Sequence, residues 1–311
     1  MLTVVPNYYT AFRCIGSRCR HNCCIGWEID IDDTTLARYR ALDGAWRQRF
    51  DAHVANDEVP HFITDESGRC PFLNAENLCD IQLELDDGCL CEICREHPRF
   101  HNRLPGRVES GLGLCCEEAA RLILGQRELM HLCCSGTDEA DDAILALRDH
   151  VIALLQDRTL SIPERCEAML ALCNTAMPQA TPAEWARVLL QLERLDSAWE
   201  DTLLLLQNEW HTADLNGFRS HMSDRQTPYE QLLVYFVYRH FANADSVSSA
   251  AARACFAVLG YTVLEALGAV LFTKHGSFTF EQFCELARAF SAEVEYSDEN
   301  LDILWDTLGG V

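Results

Sequence analysis

Seventeen cysteines in 311 residues constrain this chain more than any other feature. The number is odd, and the opening MLTVVPNYYTAFRC has neither a basic start nor a sustained apolar run. A chain of this length also has no need of disulfide staples. These facts predict a reducing, cytoplasmic setting in which thiolates serve as metal ligands. Eleven of the cysteines lie between Cys14 and Cys116, and Cys133 and Cys134 follow closely. The other four, Cys166, Cys173, Cys255 and Cys284, sit singly in helical patterns, where a free thiol packs as a small hydrophobe.

The first group is Cys14-x4-Cys19-x3-Cys23-Cys24, with Gly16 and Gly26 permitting tight loops around it. The second runs through Cys70, Cys79, Cys89, Cys91, Cys94, Cys115 and Cys116. Cys91-Glu-Ile-Cys94 has the spacing at which two sulfurs chelate one metal ion. Three occupants compete. Structural zinc usually takes two CxxC knuckles, and there is one here. Iron–sulfur clusters accept more varied thiolate spacing. A redox dithiol wants its CxxC within an alternating α/β pattern, which is missing. Arg99, just beyond Cys94, is a candidate cation for a cofactor carboxylate, or an ordinary surface arginine.

Charge and hydropathy remove other classes. The net charge of −23, from 48 acidic and 25 basic residues, argues against nucleic acid, which needs clustered cations. Arginine supplies almost all the positive charge, since Lys274 is the chain's one lysine. The apolar stretch Ala254–Thr273 contains Glu265, Gly260 and Gly268 and reads as a buried core helix, with no membrane insertion. No G-x-G-x-x-G follows a strand pattern, and no CxxxCxxC triplet occurs.

The expected fold is mainly α: an irregular cysteine-rich metal-binding region over residues 1–136 with short strands, followed by a helical bundle over 137–311. Trp27–Asp32 alternates as a short strand, and Asp33 or Thr34 is placed to cap a helix over Leu36–Leu42. Phe100–Leu104 and Arg107–Leu112 flank a Pro105–Gly106 turn, and Glu117–Leu124 reads as a helix. Helical patterning runs from about Asp138 onward. Capping boxes stand at Thr181-Pro-Ala-Glu184 and Thr227-Pro-Tyr-Glu230, and helices are expected over Ser197–Leu215, Ser246–Thr273 and Asp298–Leu308.

Read in order, the motifs form a recognisable series. Phe12-Arg-Cys14-Ile-Gly16, Cys19 and Cys23-Cys24-Ile-Gly26-Trp27 come first. Gly68-Arg-Cys70-Pro-Phe-Leu73, Leu78-Cys79-Asp-Ile81, Cys91-x2-Cys94-x3-Pro98-Arg99 and Leu114-x-Cys116-x-Glu118 follow. This series resembles the flagellin lysine-N-methylase family. The later Leu232-Leu-Val-Tyr-Phe-Val-Tyr-Arg239-His-Phe and Glu295-Tyr-Ser-x-Glu-Asn300 extend the resemblance over nearly the whole chain. It implies a [4Fe–4S] cluster, S-adenosylmethionine as methyl donor, and flagellin as the partner whose lysines are methylated. It also implies a core set of Cys14, Cys19, Cys23, Cys24, Cys70, Cys79, Cys94 and Cys116, with Cys91 an additional candidate ligand. Glu117 follows Cys116 where the family usually has proline. Methyl transfer to an amine requires removal of a proton from an ammonium of pKa about 10.4. Glu118, Tyr235 and Tyr238 are the candidate acceptors, each with a plain alternative as a helix-end or core residue. A non-catalytic carrier or interaction module holding iron–sulfur or zinc is the rival reading from a different class.

Overall fold

In the computed structural model, residues 1–55, 57–137 and 142–309 are described. The chain divides into two compact units, Arg13–Phe100 and a second that joins Met1–Phe12 to His101–Val311. The architecture is mainly helical with short strands, as the sequence pattern predicts.

The Arg13–Phe100 unit holds helices α1 (Asp33–Ala41), α2 (Gly44–His53), α3 (Asp80–Glu84) and α4 (Glu92–Glu96), and a two-residue pair β2 (Val54–Ala55) and β3 (His61–Phe62). Its small core is aromatic. Tyr39 stacks on Phe50 at 3.8 Å between ring centroids, and Phe72 packs against Phe50 and Phe62 at 4.8 and 4.9 Å. Trp27–Asp32 forms no strand, contrary to the expectation from its alternation. Ile29 and Ile31 are buried as the period demands, but among the described residues the segment makes a single isolated bridge, Asp30 to His61. Apolar alternation chose the buried face; among the described residues, no neighbouring strand of matching length completes a ladder. The cap of α1 is Asp32, one residue earlier than expected, and its carboxylate accepts from Thr35 N at 3.0 Å.

In the other unit, β1 (Leu2–Pro6) lies between β5 (Arg107–Leu112) and β6 (Leu132–Ser135) in a four-stranded sheet of order β4-β5-β1-β6, with β4 at Arg99–Leu104. β1 runs parallel to β5, pairing Val4 with Glu109, and antiparallel to β6, pairing Val4 with Cys134. The expected Pro105–Gly106 connection joins β4 to β5, with Gly106 at φ 72°. α5 spans Glu117–Leu124, as its pattern predicts.

The first described helix after β6 is α6 (Ala143–Leu155); Asp138, where helical patterning was expected to begin, lies outside the described residues. Then come α7 (Ile162–Leu172), α8 (Pro182–Leu189), α9 (Ser197–Glu209), α10 (Leu215–His221), α11 (Thr227–Phe241), α12 (Val247–His275), α13 (Phe280–Phe290) and α14 (Asp298–Gly309). The Thr181–Glu184 capping box opens α8 as expected. The Thr227–Glu230 box does not form: α11 begins at Thr227, with Gln226 as its cap residue. Glu230 turns inward instead, where Arg165 and Arg158 each hold one of its oxygens at 2.8 Å. Leaving Arg165 buried without its carboxylate would cost more than the about 1 kcal/mol that a cap supplies.

α11 and α12 are apolar around most of their circumference, the pattern of helices surrounded by others. The 29-residue α12 is long and apolar enough to cross a membrane, yet 78% of its most apolar window is buried within the protein. Gly260 and Gly268 do not interrupt it. A Cβ on Gly260 would stand 2.6 Å from the Phe236 ring, and one on Gly268 2.6 Å from Phe218. These glycines are where aromatic side chains seat against the helix. Gly260→Ala is therefore expected to destabilise the protein by about 1–3 kcal/mol through overpacking, read as a lowered midpoint in urea unfolding.

Candidate functional site

The thiols of the Arg13–Phe100 unit are gathered by short backbone contacts. Cys70 N donates to Cys24 O at 2.9 Å and Gly26 N to Gly68 O at 3.0 Å, laying the first cysteine segment beside the second. The Leu73–Cys79 bridge then folds Cys79 back toward Cys70, around a turn in which Asn74 Oδ1 accepts from Leu78 N at 3.0 Å. Cys91 stands at the start of α4, and its Sγ lies 3.6 Å from Tyr39 Oη.

Cys23 and Cys24 share a thiol hydrogen bond, as do Cys91 and Cys94. Cys24 also feels the charges of Cys70 and Cys79, and Cys94 those of Cys24 and Cys70. Within each hydrogen-bonded pair one thiol is made more acidic by its neighbour's S–H, Cys23 and Cys91 respectively, while its partner is held protonated. Burial pushes Cys70 up to about 11 and raises Cys79. Cys14 is exposed and accepts from Gly16 N at 3.4 Å; Cys19 is half-buried and donates to His21 O at 3.2 Å. Arg99 opens β4. Burial, and then the charge of Arg99, lowers the nearby His97 to about 4.

An all-thiol donor set suits a thiophilic metal or iron–sulfur centre. Its arrangement consists of pairs: among the described residues, no three His, Cys, Asp or Glu side chains stand together as a metal-holding group.

Asp32 ties this thiol region to the unit's helices. Its Oδ1 caps α1 through Thr35 N at 3.0 Å, and its Oδ2 accepts from Glu92 N at 2.9 Å at the start of α4. Burial alone would raise its pKa, but the two backbone donors prevail and lower it. The stability it supplies is therefore complete above the unfolded carboxyl value and is lost as pH falls through the lower folded value.

The second constellation lies in the helical unit. Residues Ser291–Glu295 form a π-turn that widens the helix after α13 and carries Glu295 inward. Glu295 Oε1 meets His240 Nε2 at 2.7 Å, and its Oε2 accepts from Tyr235 Oη at 3.1 Å. Arg239 Nη1 donates to Tyr235 Oη at 2.7 Å, and its guanidinium lies 4.7 Å over the Tyr296 ring. Burial opposes ionisation of Glu295, but Arg239 and His240 outweigh it and lower the pKa. Burial lowers the pKa of His240 despite its hydrogen bond to the Glu295 carboxylate. Burial raises Tyr235 above the usual phenol range.

Of the proton-acceptor candidates, Tyr235 lies inside this network. Tyr238 is buried and donates to Ser110 O at 3.0 Å. Glu118 is 14% exposed and forks onto Arg121 at 2.6 and 2.7 Å. Cys116 stands at the N-terminal end of α5 in the same unit and is half-buried. Sequence reasoning assigns no role to Arg239, His240, Glu295 or Tyr296. A signal is nonetheless present: an Arg–His pair inside an otherwise apolar run, with Arg239 one helical turn beyond Tyr235.

These features define a class: a helical protein with a thiol-clustered N-terminal unit and a bundle built on buried arginine–carboxylate contacts. Residues 183–309 match the FliB lysine N-methylase C-terminal domain, a span that contains Tyr235, Arg239, His240, Glu295 and Tyr296. A lysine-N-methylase of Salmonella choleraesuis (strain SC-B67) is 33% identical over 138 residues, 41% of this chain and 33% of that protein. Its Salmonella typhimurium counterpart is 32% identical over 138 residues, with the same shares covered. The flagellar biosynthetic protein FliU of Salmonella muenchen is 30% identical over 138 residues, 41% of this chain and 79% of that protein. The chain belongs to the flagellin lysine N-methylase family. It spans about a third of the length of the two lysine-N-methylases it matches. No solved structure matches it.

Asp32→Ala removes both contacts of that carboxylate. It is expected to cost about 1–2 kcal/mol, read as a lower thermal midpoint near neutral pH. The gap from the parent protein should close as acid protonates Asp32 in the parent.

Proposed function

We propose that this protein is an S-adenosylmethionine-dependent protein lysine N-methyltransferase acting on flagellin, with a [4Fe–4S] cluster in its thiol-rich unit. The observation that carries the reading is the family match over residues 183–309, which takes in the whole polar network from Tyr235 to Tyr296 apart from its contacts with residues 113–115. The names of the relatives supply lysine methylation and the flagellar connection. The hydrogen-bonded pairs Cys23–Cys24 and Cys91–Cys94, which feel the charge of Cys70, together with Cys79 beside the first pair, support a thiolate-held cluster and are the side chains that would hold it. Zinc is the alternative occupant of the same donors.

S-adenosylmethionine supplies an electrophilic methyl group when bound. The protein must orient a lysine amine in line with that methyl and accept the ammonium proton. Glu118 suits the proton-accepting role better than either tyrosine, because it is 14% exposed and its two oxygens meet a surface arginine, Arg121, whereas both phenols are held in buried hydrogen bonds. Arg99 remains the candidate partner for the donor's carboxylate. The net charge of −23 favours the approach of a cationic lysine segment.

The test is anaerobic purification with iron and sulfide assay, then incubation with S-adenosylmethionine and flagellin while mass is followed. Flagellin should gain mass in steps of one methylene on its lysines. No gain with an intact cluster refutes the methylase; zinc without iron or sulfide refutes the cluster. With activity in hand, Glu118→Gln is expected to lower turnover about 100-fold or more at neutral pH, as loss of a general base does.

A further inference from the structure

Gly113–Cys116 is the corner that joins β5 to α5, closed by Cys116 N donating to Gly113 O at 3.4 Å. Three of its residues are gripped from the helical motifs. Leu114 N donates to Tyr235 Oη at 3.2 Å. Cys115 is buried, and its sulfur takes a hydrogen bond from Tyr296 close to Arg239. Gly113 is packed so tightly that a Cβ there would collide with Tyr296 Oη and stand 3.2 Å from Arg239 Nη1.

The gripping side chains are themselves held. Tyr235 Oη stands between Arg239 and Glu295 at 2.7 and 3.1 Å, and Glu295 is fixed from its other oxygen by His240. The network therefore touches each corner residue up to Cys115. Cys116 is left half-buried at the head of the helix.

We infer that Tyr235, Arg239, Glu295 and Tyr296 act together as positioning residues for this corner, locking Cys115 inward so that Cys116 is the thiol presented for chemistry. Cys115 lies inside the turn that the Cys116 N to Gly113 O bond closes, and Cys116 is the cap residue of α5, so holding the turn fixes the backbone from which Cys116 projects. The inference deepens the methylase reading and rests on it for the use of Cys116, which the family's motif includes and Cys115 does not. The two helical motifs thereby share one role, which is to set the direction of a single thiol.

The experiment alkylates the full-length folded chain with iodoacetamide and follows Cys115, Cys116 and Cys133 by peptide mass. Cys133 is an exposed reference thiol on β6. Cys116, half-buried, should react at least about tenfold faster than the buried Cys115, since access controls the rate. Tyr235→Phe and Glu295→Gln should each narrow that ratio to about threefold or less, with the Cys133 rate unchanged. Gly113→Ala, which displaces Tyr296 from the opposite side, should do the same and serves if either network variant fails to fold. A ratio unchanged in folded variants overturns the inference, as does a Cys115 that reacts as fast as Cys116 in the parent protein. Cys116→Ser should abolish flagellin methylation while Cys115→Ser retains it; the reverse result also overturns the assignment. Failure of the parent protein to methylate flagellin would instead remove the methylase reading and leave the alkylation ratios standing.

Discussion

Taking a carboxylate out of water costs several kcal/mol unless a cation and further hydrogen bonds replace the lost hydration. Among the described residues, the helical unit meets this condition four times. Glu109 is buried against Arg107 and Arg148, Glu230 against Arg158 and Arg165, Glu265 against Arg219, and Glu295 against Arg239 and His240. Each of these carboxylates joins elements far apart in sequence. Glu109 fixes α6 to the sheet, and Glu230 fixes α7 to α11. Glu295 does the most, because its partners in turn hold the Gly113–Cys116 corner. Breaking one such contact leaves a bare charge in the interior, so the contacts select one packing of the bundle over its neighbours. Glu293 shows the alternative: among the described residues it has no arginine salt bridge, it accepts from Leu195 N at 2.8 Å, and burial raises its pKa.

What can be read from the sequence is what is decided locally. The Thr181 box needs only residues 181–184, and it forms. The β4–β5 turn needs only Pro105–Gly106, and it forms. The buried faces of Ile29 and Ile31 follow from period two, but a strand also needs a partner, and Trp27–Asp32 finds none among the described residues. Glu230 leaves its expected capping role because its fate depends on Arg158 and Arg165, which lie 65 and more residues away.

The candidate site divides along the same line. Tyr235 and Arg239 are neighbours on one helix face, and that pairing is open to a sequence reading. The closing partner, Glu295, is delivered by a π-turn, and no periodicity announces one. The cysteines are the opposite case. Their number and spacing mark the thiol region and its local pairs at once, yet the approach of Cys24 to Cys70 depends on a backbone contact between segments far apart in the chain.

The scarcity of lysine has a physical reason at the buried positions. Arg239 donates to Tyr235, approaches Glu295 and lies over Tyr296 at once, and a single ammonium on a flexible stem cannot make those three contacts. Arg165 reaches Leu155 O, Leu160 O and Glu230, while Arg253 reaches His240 O, Ser249 O and Asn243 O and lies over Trp305. Arg239 and Arg165, spent in this way on buried carboxylates, cancel them. The net charge of −23 is therefore carried by the remaining, mostly solvent-facing groups, a surface that repels phosphate polymers and draws cations. Interior and surface thus follow from one choice of residue: guanidinium forks neutralise most of the acids that build the bundle, Glu293 being met by backbone donors instead, and the excess of acids lies mostly toward water.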